Sequence, residues 1–171
     1  MKYNSKGRFL ALLPAVVLLI VLAWPVRVLV LESEHRAPLL LAINSEDTVT
    51  LQYVHSIYHV RQREVYQPAR DGLVLRSMYF GDMSAALYYD DYRRYRLEPE
   101  PGGGYTIKEL NLHYPAVSFA LGHGTEYEMY VGTALAIDFN RAFPDATFLT
   151  IRTATMPVGE FILGRLRNGS R

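Results

Sequence analysis

His55, Ser56 and Glu64 are the residue types of a hydrolytic site, and they lie close together in the sequence. A histidine within hydrogen-bond reach of a serine hydroxyl acts as its base, and a carboxylate orients the histidine. The three residues belong to two runs that alternate as strands do. A two-residue turn at positions 58–59 then predicts His55 and Glu64 as diagonal neighbours on one face. Ser56 points to the opposite face, which argues against a catalytic triad.

The pair formed by His55 and Glu64 has two interpretations. In the first, it is a polar cluster that lines a ligand or partner site, where the carboxylate favours the protonated imidazole. In the second, it is a buried hydrogen-bonded network that fixes the register of the strands. We favour the second interpretation and assign no catalytic residue, so the chain is not expected to be an enzyme.

A second group of candidate residues interleaves tyrosine with arginine in residues 88–96. The members that we assign to a ligand or partner surface are Tyr88, Arg93, Arg94 and Arg96. Arginine stacks on aromatic rings and binds carboxylates with two hydrogen bonds, so this surface would suit an acidic solute, lipid headgroups or a partner. The alternative is an amphipathic edge strand whose acids and arginines neutralise each other, and we favour that alternative.

Other site chemistries lack their patterns in the sequence. The five histidines do not occur at metal-ligand spacing, and the chain has no cysteine. Residues 102–104 are glycines, but the lysine and helix that complete a phosphate-binding loop do not follow them. We therefore expect no metal and no cofactor. A formal net charge of +1 also argues against nucleic acid as a partner.

The N-terminus predicts a membrane segment. Residues 1–8 carry three basic side chains, and residues 9–26 carry no charge. As a helix the uncharged run spans about 27 Å, enough for a hydrocarbon core. The basic flank stays in the cytoplasm, which places the C-terminal part outside. The alternatives are a signal peptide cleaved after Ala23 and a pilin-like leader whose helix forms a filament core.

The positioning elements are predicted to be strands. We expect a linker at 27–35, with a strand through 28–30, and a β-domain at 36–171 that folds even when the chain begins near Glu34. Alternation predicts strands at 49–57, 60–66 and 73–80. A hairpin is predicted from 118–121 and 127–131, a loop at 98–104, and a helix face over 158–166. The fold class is mainly β, a small antiparallel sandwich or barrel preceded by one transmembrane helix.

An ordered set of short phrases resembles one known family. The phrases are Tyr53-Val54-His55-Ser56-Ile57, Glu64-Val65-Tyr66, Gly72-Leu73-Val74-Leu75, Phe80-Gly81-Asp82 and Tyr88-Tyr89-Asp90. The family is exported, has no known function, and its genes often neighbour TAXI-type TRAP transporters. This chain departs from it at Ile57, where valine is usual, and in a glycine-rich phrase that is reduced to Gly81. The resemblance covers roughly residues 48–92.

The resemblance implies export, a compact β-domain and an accessory role beside a solute importer, but no catalytic activity. Together with the N-terminal run, it predicts a membrane-anchored extracytoplasmic β-domain of unknown activity. The expected partners are the membrane, TRAP transporter subunits and a small-molecule ligand. Two other function classes remain open, a structural surface protein such as a pilin-like filament subunit and an exported hydrolase.

Overall fold

The computed structural model describes residues 5–88, 94–122 and 126–169, without the side chains of residues 5–12 and 168–169. The first half of the chain contains α1 (Ser5–Ala23), β1 (Pro25–Ser33), β2 (Arg36–Ala42), β3 (Val49–Val54), β4 (Arg61–Ala69), β5 (Gly72–Phe80) and α2 (Met83–Tyr88). The second half contains β6 (Leu97–Pro99), β7 (Tyr105–Ile107), β8 (Leu112–Tyr114), β9 (Ala116–Ala120), β10 (Tyr127–Val131), β11 (Ala134–Asp138), α3 (Phe139–Ala142), β12 (Phe148–Pro157) and α4 (Val158–Gly169).

The strands form two open antiparallel sheets. The four-stranded sheet has the order β2-β1-β12-β9, so the first and last strands of the domain are neighbours. The eight-stranded sheet has the order β11-β10-β3-β4-β5-β7-β6, and β8 also pairs with β5. The predicted mainly β class with antiparallel sheets is therefore confirmed, and the described strands do not close into the alternative barrel.

One hydrophobic core lies between the two sheets. The four-stranded sheet contributes Leu29, Leu31, Leu149 and Ile151, and the eight-stranded sheet contributes Leu51, Leu75, Met78, Phe80 and Met129. Each is almost fully buried, which stabilises the fold by about 1.5–3 kcal/mol per side chain. In β3 and β5 the core residues alternate with more exposed ones, as a sheet with one buried face requires, whereas β1 is buried on both faces between Val28 and Leu31.

The N-terminal helix joins the sandwich without a linker. Helix α1 ends at Ala23 and β1 begins at Pro25, so only Trp24 separates them. The strand predicted through 28–30 is confirmed and is longer than expected, because β1 occupies most of the range 27–35 that was assigned to a linker. Val28, Leu29, Val30 and Leu31 are buried there. Among the residues given above, no helix combines the length and the apolar character needed to cross a bilayer.

The predicted C-terminal helix is present as α4, and it packs beside the end of α1. The Val158 N–H donates a hydrogen bond of 2.9 Å to the Trp24 carbonyl. Gly159 lies against Leu22, and Gly164 lies against the side chain of Leu40 in β2. The two glycines that weaken the helical pattern are therefore the contact points that let α4 approach α1 and the sheet closely.

Three predicted elements differ from the structure. The hairpin of 118–121 with 127–131 is wrong, because β9 pairs with β12 while β10 pairs with β3 and β11 in the other sheet. The loop predicted at 98–104 begins two residues later, at Glu100, since β6 ends at Pro99. β6 is the last strand in its sheet order, where a proline is tolerated. Of the edge strand considered for residues 88–96, Tyr88 ends α2 and residues 94–96 form a turn, while residues 89–93 lie outside the described residues.

Candidate functional site

The loop between β3 and β4 is built around the His55 side chain. It spans residues 56–59, and the His55 N–H donates to the Val60 carbonyl at 2.8 Å to close it. The His55 Nδ1 atom accepts N–H groups of Ile57 at 3.2 Å and Tyr58 at 3.4 Å. His59 completes the turn with a φ of 51°, in the left-handed region. Because the His55 side chain accepts these loop amides, the loop is longer than the two-residue turn predicted at 58–59.

His55 is buried among aromatic rings. His55 is only 5% exposed, and its ring centroid lies 5.2 Å from that of Tyr58 and 5.5 Å from that of Tyr88. Burial lowers the pKa of His55 below its ordinary value. Because Nδ1 accepts hydrogen bonds, the neutral ring carries its proton on Nε2. This direction is opposite to the preference for imidazolium that a neighbouring carboxylate would give.

The register of β3 and β4 differs from the prediction by two residues. Tyr53 lies opposite Gln62 and Leu51 lies opposite Glu64, whereas the shorter turn would place Tyr53 opposite Glu64. A shift of two residues preserves the face on which each side chain lies, since strand side chains alternate with a period of two. Tyr53 and Glu64 therefore remain on one face, as diagonal neighbours.

Glu64 is held by three neutral donors. The Tyr53 hydroxyl donates to Oε1 at 2.6 Å and the Tyr66 hydroxyl donates to Oε2 at 2.6 Å. The amide nitrogen of Gln62, a fully buried residue, lies 3.4 Å from Oε1. Hydrogen bonds to an ionised carboxylate are the stronger kind and fix its orientation. No lysine or arginine of the described residues forms an ion pair with Glu64.

His55, Ser56 and Glu64 line one cavity of about 570 Å³ between the two sheets. The other residues that line it are Leu51, Tyr53, Tyr66, Tyr114, Ala116, Val117, Ser118, Phe119, Ala120, Tyr127, Glu128 and Phe139. The structure thus brings both members of the predicted pair to the same space. Ser56 was expected on the opposite face and lies here instead, because it belongs to the loop and not to a strand.

Ser56 shares the cavity without a base to activate it. Within the described residues its hydroxyl forms no hydrogen bond, and the Nδ1 atom of His55 is engaged by the loop amides. A nucleophilic serine needs its base within hydrogen-bond reach. The observed arrangement is therefore that of a lining residue.

The second predicted group is divided. Tyr88 ends α2 and packs against His55 and Tyr58, so it joins the wall beside the cavity. Arg94 lies over the ring of Tyr95 at 5.1 Å, and Arg96 is exposed; neither lines the cavity. Arg93 lies outside the described residues. Arg94 and Arg96 belong to the turn before β6, away from the strand on which they were placed.

The aromatic lining was not predicted from the sequence. Tyr127 stacks between Tyr53 and Phe119, with ring centroids 5.4 Å and 5.5 Å away, and Phe139 meets Phe119 edge to face at 5.5 Å. Phe119 reaches across from the four-stranded sheet, so the stack joins the two sheets at the cavity. In the sequence, the only indication of this lining is an aromatic residue at an inward position of each strand-like run. Those residues come together only when strands that are distant in the sequence pair.

The described residues hold no group of three or more histidine, aspartate or glutamate side chains that could bind a metal ion. A comparison with known families matches residues 49–136 to the model described as Domain of unknown function (DUF1850). The match runs from the start of β3 into β11, and it contains His55, Glu64 and the tyrosines of the cavity. No curated protein and no solved structure matches the chain.

Proposed function

Because the chain belongs to the DUF1850 family of domains of unknown function, we propose for it the role that its cavity supports best, the reversible binding of a small solute between the two sheets. The observation that carries the proposal is Glu64, whose carboxylate is held in one orientation on the wall of a cavity of about 570 Å³. Cavities of about 300–1,000 Å³ with mainly hydrophobic and aromatic walls and a few fixed polar groups are typical of small-molecule sites.

The wall of the cavity is organised before any solute enters. Tyr53 and Tyr66 fix the carboxylate from two sides, and the stacked rings of Phe119 and Tyr127 tie the opposite wall to it. Fixed side chains lose little conformational freedom on binding, so more of the contact energy appears as affinity. This preorganisation supports recognition of one shape and charge.

We also propose where the domain is located and which kind of partner it has. Residues 9–26 are uncharged, and the apolar side chains Leu13, Val16, Val17, Leu18, Leu19, Ile20 and Val21 of α1 are exposed. A helix that is apolar all round is stable in lipid. The helix holds the sandwich at the extracytoplasmic face of a membrane, where it delivers solute to, or senses solute for, a TAXI-type TRAP importer, the partner class that the sequence resemblance supports.

The experiment uses the full chain in detergent and a panel of cationic, neutral and anionic metabolites, read by thermal shift and calorimetry. We expect one class to raise the melting temperature. Ser56→Trp places a bulky side chain at the cavity and should abolish the shift. Ser45→Trp, at an exposed turn away from the cavity, is the matched control and should leave it unchanged. Equal binding by the Ser56→Trp variant would contradict a site in the cavity.

A further inference from the structure

The charges that line the cavity have one sign. The Glu64 side chain lies on the inward face of β4, where Leu51 and Met78 are its strand partners, and the described residues that line the cavity include no lysine and no arginine. Glu128 also lies at the cavity, but its side chain pairs with Gln52 on the outer face of the sheet. His55, the remaining ionisable group with a basic side chain, is buried against Tyr58 and Tyr88 and uses Nδ1 as an acceptor. The lining therefore offers negative charge without an internal cation to balance it.

The Glu64 carboxylate is held by neutral groups. It accepts hydrogen bonds from the hydroxyls of Tyr53 and Tyr66 and from the Gln62 amide. Neutral donors orient a carboxylate but leave its charge in place. An entering anion would be repelled by this carboxylate, whereas an entering cation would supply the missing charge.

The aromatic walls point to the same class of ligand. Tyr53, Tyr66, Tyr114, Phe119 and Tyr127 line the space around Glu64. Aromatic faces attract cations, and they do so best where water is displaced. Three donors already occupy most acceptor positions on the Glu64 carboxylate. A ligand is therefore attracted mainly by the negative charge of Glu64, which acts in all directions, and less by additional hydrogen bonds. This favours an alkylated ammonium group over a strongly hydrated metal ion.

Resting on the proposed solute-binding role, we infer that the solute is an organic cation whose ammonium group lies beside Glu64 among the cavity tyrosines. The remainder of the molecule is small enough for a cavity of about 570 Å³. Glu64 supplies the charge, Tyr53 and Tyr66 hold Glu64 in place, and the ring stack of Tyr127 and Phe119 forms the apolar wall.

The test compares ligands that differ in charge and little else. The probes are choline and its neutral isostere 3,3-dimethylbutan-1-ol, putrescine and butane-1,4-diol, and the anions succinate and glutamate, titrated by calorimetry into the full chain. We expect at least one cation to bind ten-fold or more tightly than its neutral partner. Glu64→Gln keeps an acceptor for the tyrosines and should weaken that cation at least ten-fold. Glu46→Gln, which removes an exposed charge elsewhere, should change its affinity less than two-fold.

Each other result has a defined meaning. If a neutral or anionic probe binds as tightly as the cations and Ser56→Trp abolishes it, the organic-cation inference is overturned while solute binding in the cavity stands. If a cation binds but Glu64→Gln retains its affinity, the assigned role of Glu64 is overturned. If no probe binds at millimolar concentration, both the inference and the proposed function fail.

Discussion

The Tyr53 hydroxyl and the Glu64 carboxylate form a 2.6 Å hydrogen bond that ties β3 to β4 on the wall of the cavity. The two residues are diagonal neighbours and not direct partners, because Tyr53 lies opposite Gln62. Tyr66 donates to the other carboxylate oxygen from within the same strand as Glu64. One carboxylate thus fixes two tyrosine side chains, and its loss affects stability as well as the site.

Replacement of Glu64 separates its structural contribution from its charge. Glu64→Ala leaves two tyrosine hydroxyls without their acceptor, and we expect a loss of about 1–3 kcal/mol in the free energy of unfolding. Glu64→Gln should cost less, because its amide oxygen still accepts one hydroxyl. Urea denaturation measures both. Equal stability of the two variants and the native chain would show that this network does not support the fold.

His55 gives the stability a pH dependence of defined sign. Burial lowers the pKa of His55 in the folded protein, whereas the unfolded chain titrates near its ordinary value of about 6.5. The unfolded state therefore binds the proton first as the pH falls. The contribution is fully present above about pH 6.5 and is lost as the pH decreases toward the lower folded pKa. We expect the melting temperature to fall between pH 7 and pH 5.

A variant identifies the group responsible. His55→Asn provides an amide oxygen that can accept the Ile57 N–H without titrating, so its melting temperature should depend less on pH over this interval. His35→Asn is the matched control, since the His35 side chain is 68% exposed. If His55→Asn retains the native slope, another group governs the pH dependence.

Gly72 is required by the close approach of β5 and β8. Its φ is +152°, and a Cβ atom there would lie 2.2 Å from the Tyr114 carbonyl oxygen. Because the obstacle is backbone, Gly72→Ala must move a strand, and we expect a loss of about 2–3 kcal/mol in unfolding free energy. Gly102→Ala is the control, since a Cβ there meets no atom within 4 Å. Similar denaturation midpoints for the two variants would refute this assignment.

Strand β1 determines how far the chain can be shortened from its N-terminus and still fold. Val28, Leu29, Val30 and Leu31 are each at most 3% exposed, and burial of such side chains contributes about 1.5–3 kcal/mol apiece, comparable together to a typical net stability of about 5–15 kcal/mol. We expect a chain beginning at Trp24 to give a cooperative, mainly β unfolding transition by circular dichroism. A chain beginning at Glu34 should give none. Cooperative unfolding of the shorter chain would contradict the importance of β1.

The proposed orientation at the membrane can be tested with single cysteines, because the native chain has none. A membrane-impermeant maleimide applied to intact cells should label Gly102→Cys, in the exposed turn between β6 and β7, and should not label Ser5→Cys. Permeabilised cells provide the control, in which both positions react. Labelling of position 5 alone in intact cells would reverse the orientation.

Much of the strand content was predictable from local pattern. The alternation through Leu51 and Tyr53, and the turn composition around Gly72, place β3, β4 and β5 close to their observed bounds. Local pattern does not determine which strands pair. β9 and β10 are close in sequence, but β9, with Phe119, pairs in the four-stranded sheet, whereas β10, with Met129, pairs in the eight-stranded sheet.

The candidate site was predictable only in part, for the same reason. His55 and Glu64 are near each other in the chain and both line the cavity, Glu64 from β4 and His55 from the loop after β3, so the predicted diagonal pairing of the two on neighbouring strands is not formed. Tyr114, Phe119 and Tyr127 reach the cavity because their strands pair with strands that are distant in the sequence. The residues next to them in the sequence do not predict that pairing. The turn was also misjudged, because its form depends on one side chain, His55, that accepts the loop amides.

The pairing of β1 with β12 has a consequence for synthesis. Val30 pairs with Arg152, so about 120 residues must follow β1 before its partner exists. At about 5–20 residues per second, the apolar strand waits roughly 6–24 s after it is made. The four-stranded sheet is therefore completed only after nearly the whole chain has been made, and any chaperone that protects this protein must shield β1 throughout that interval.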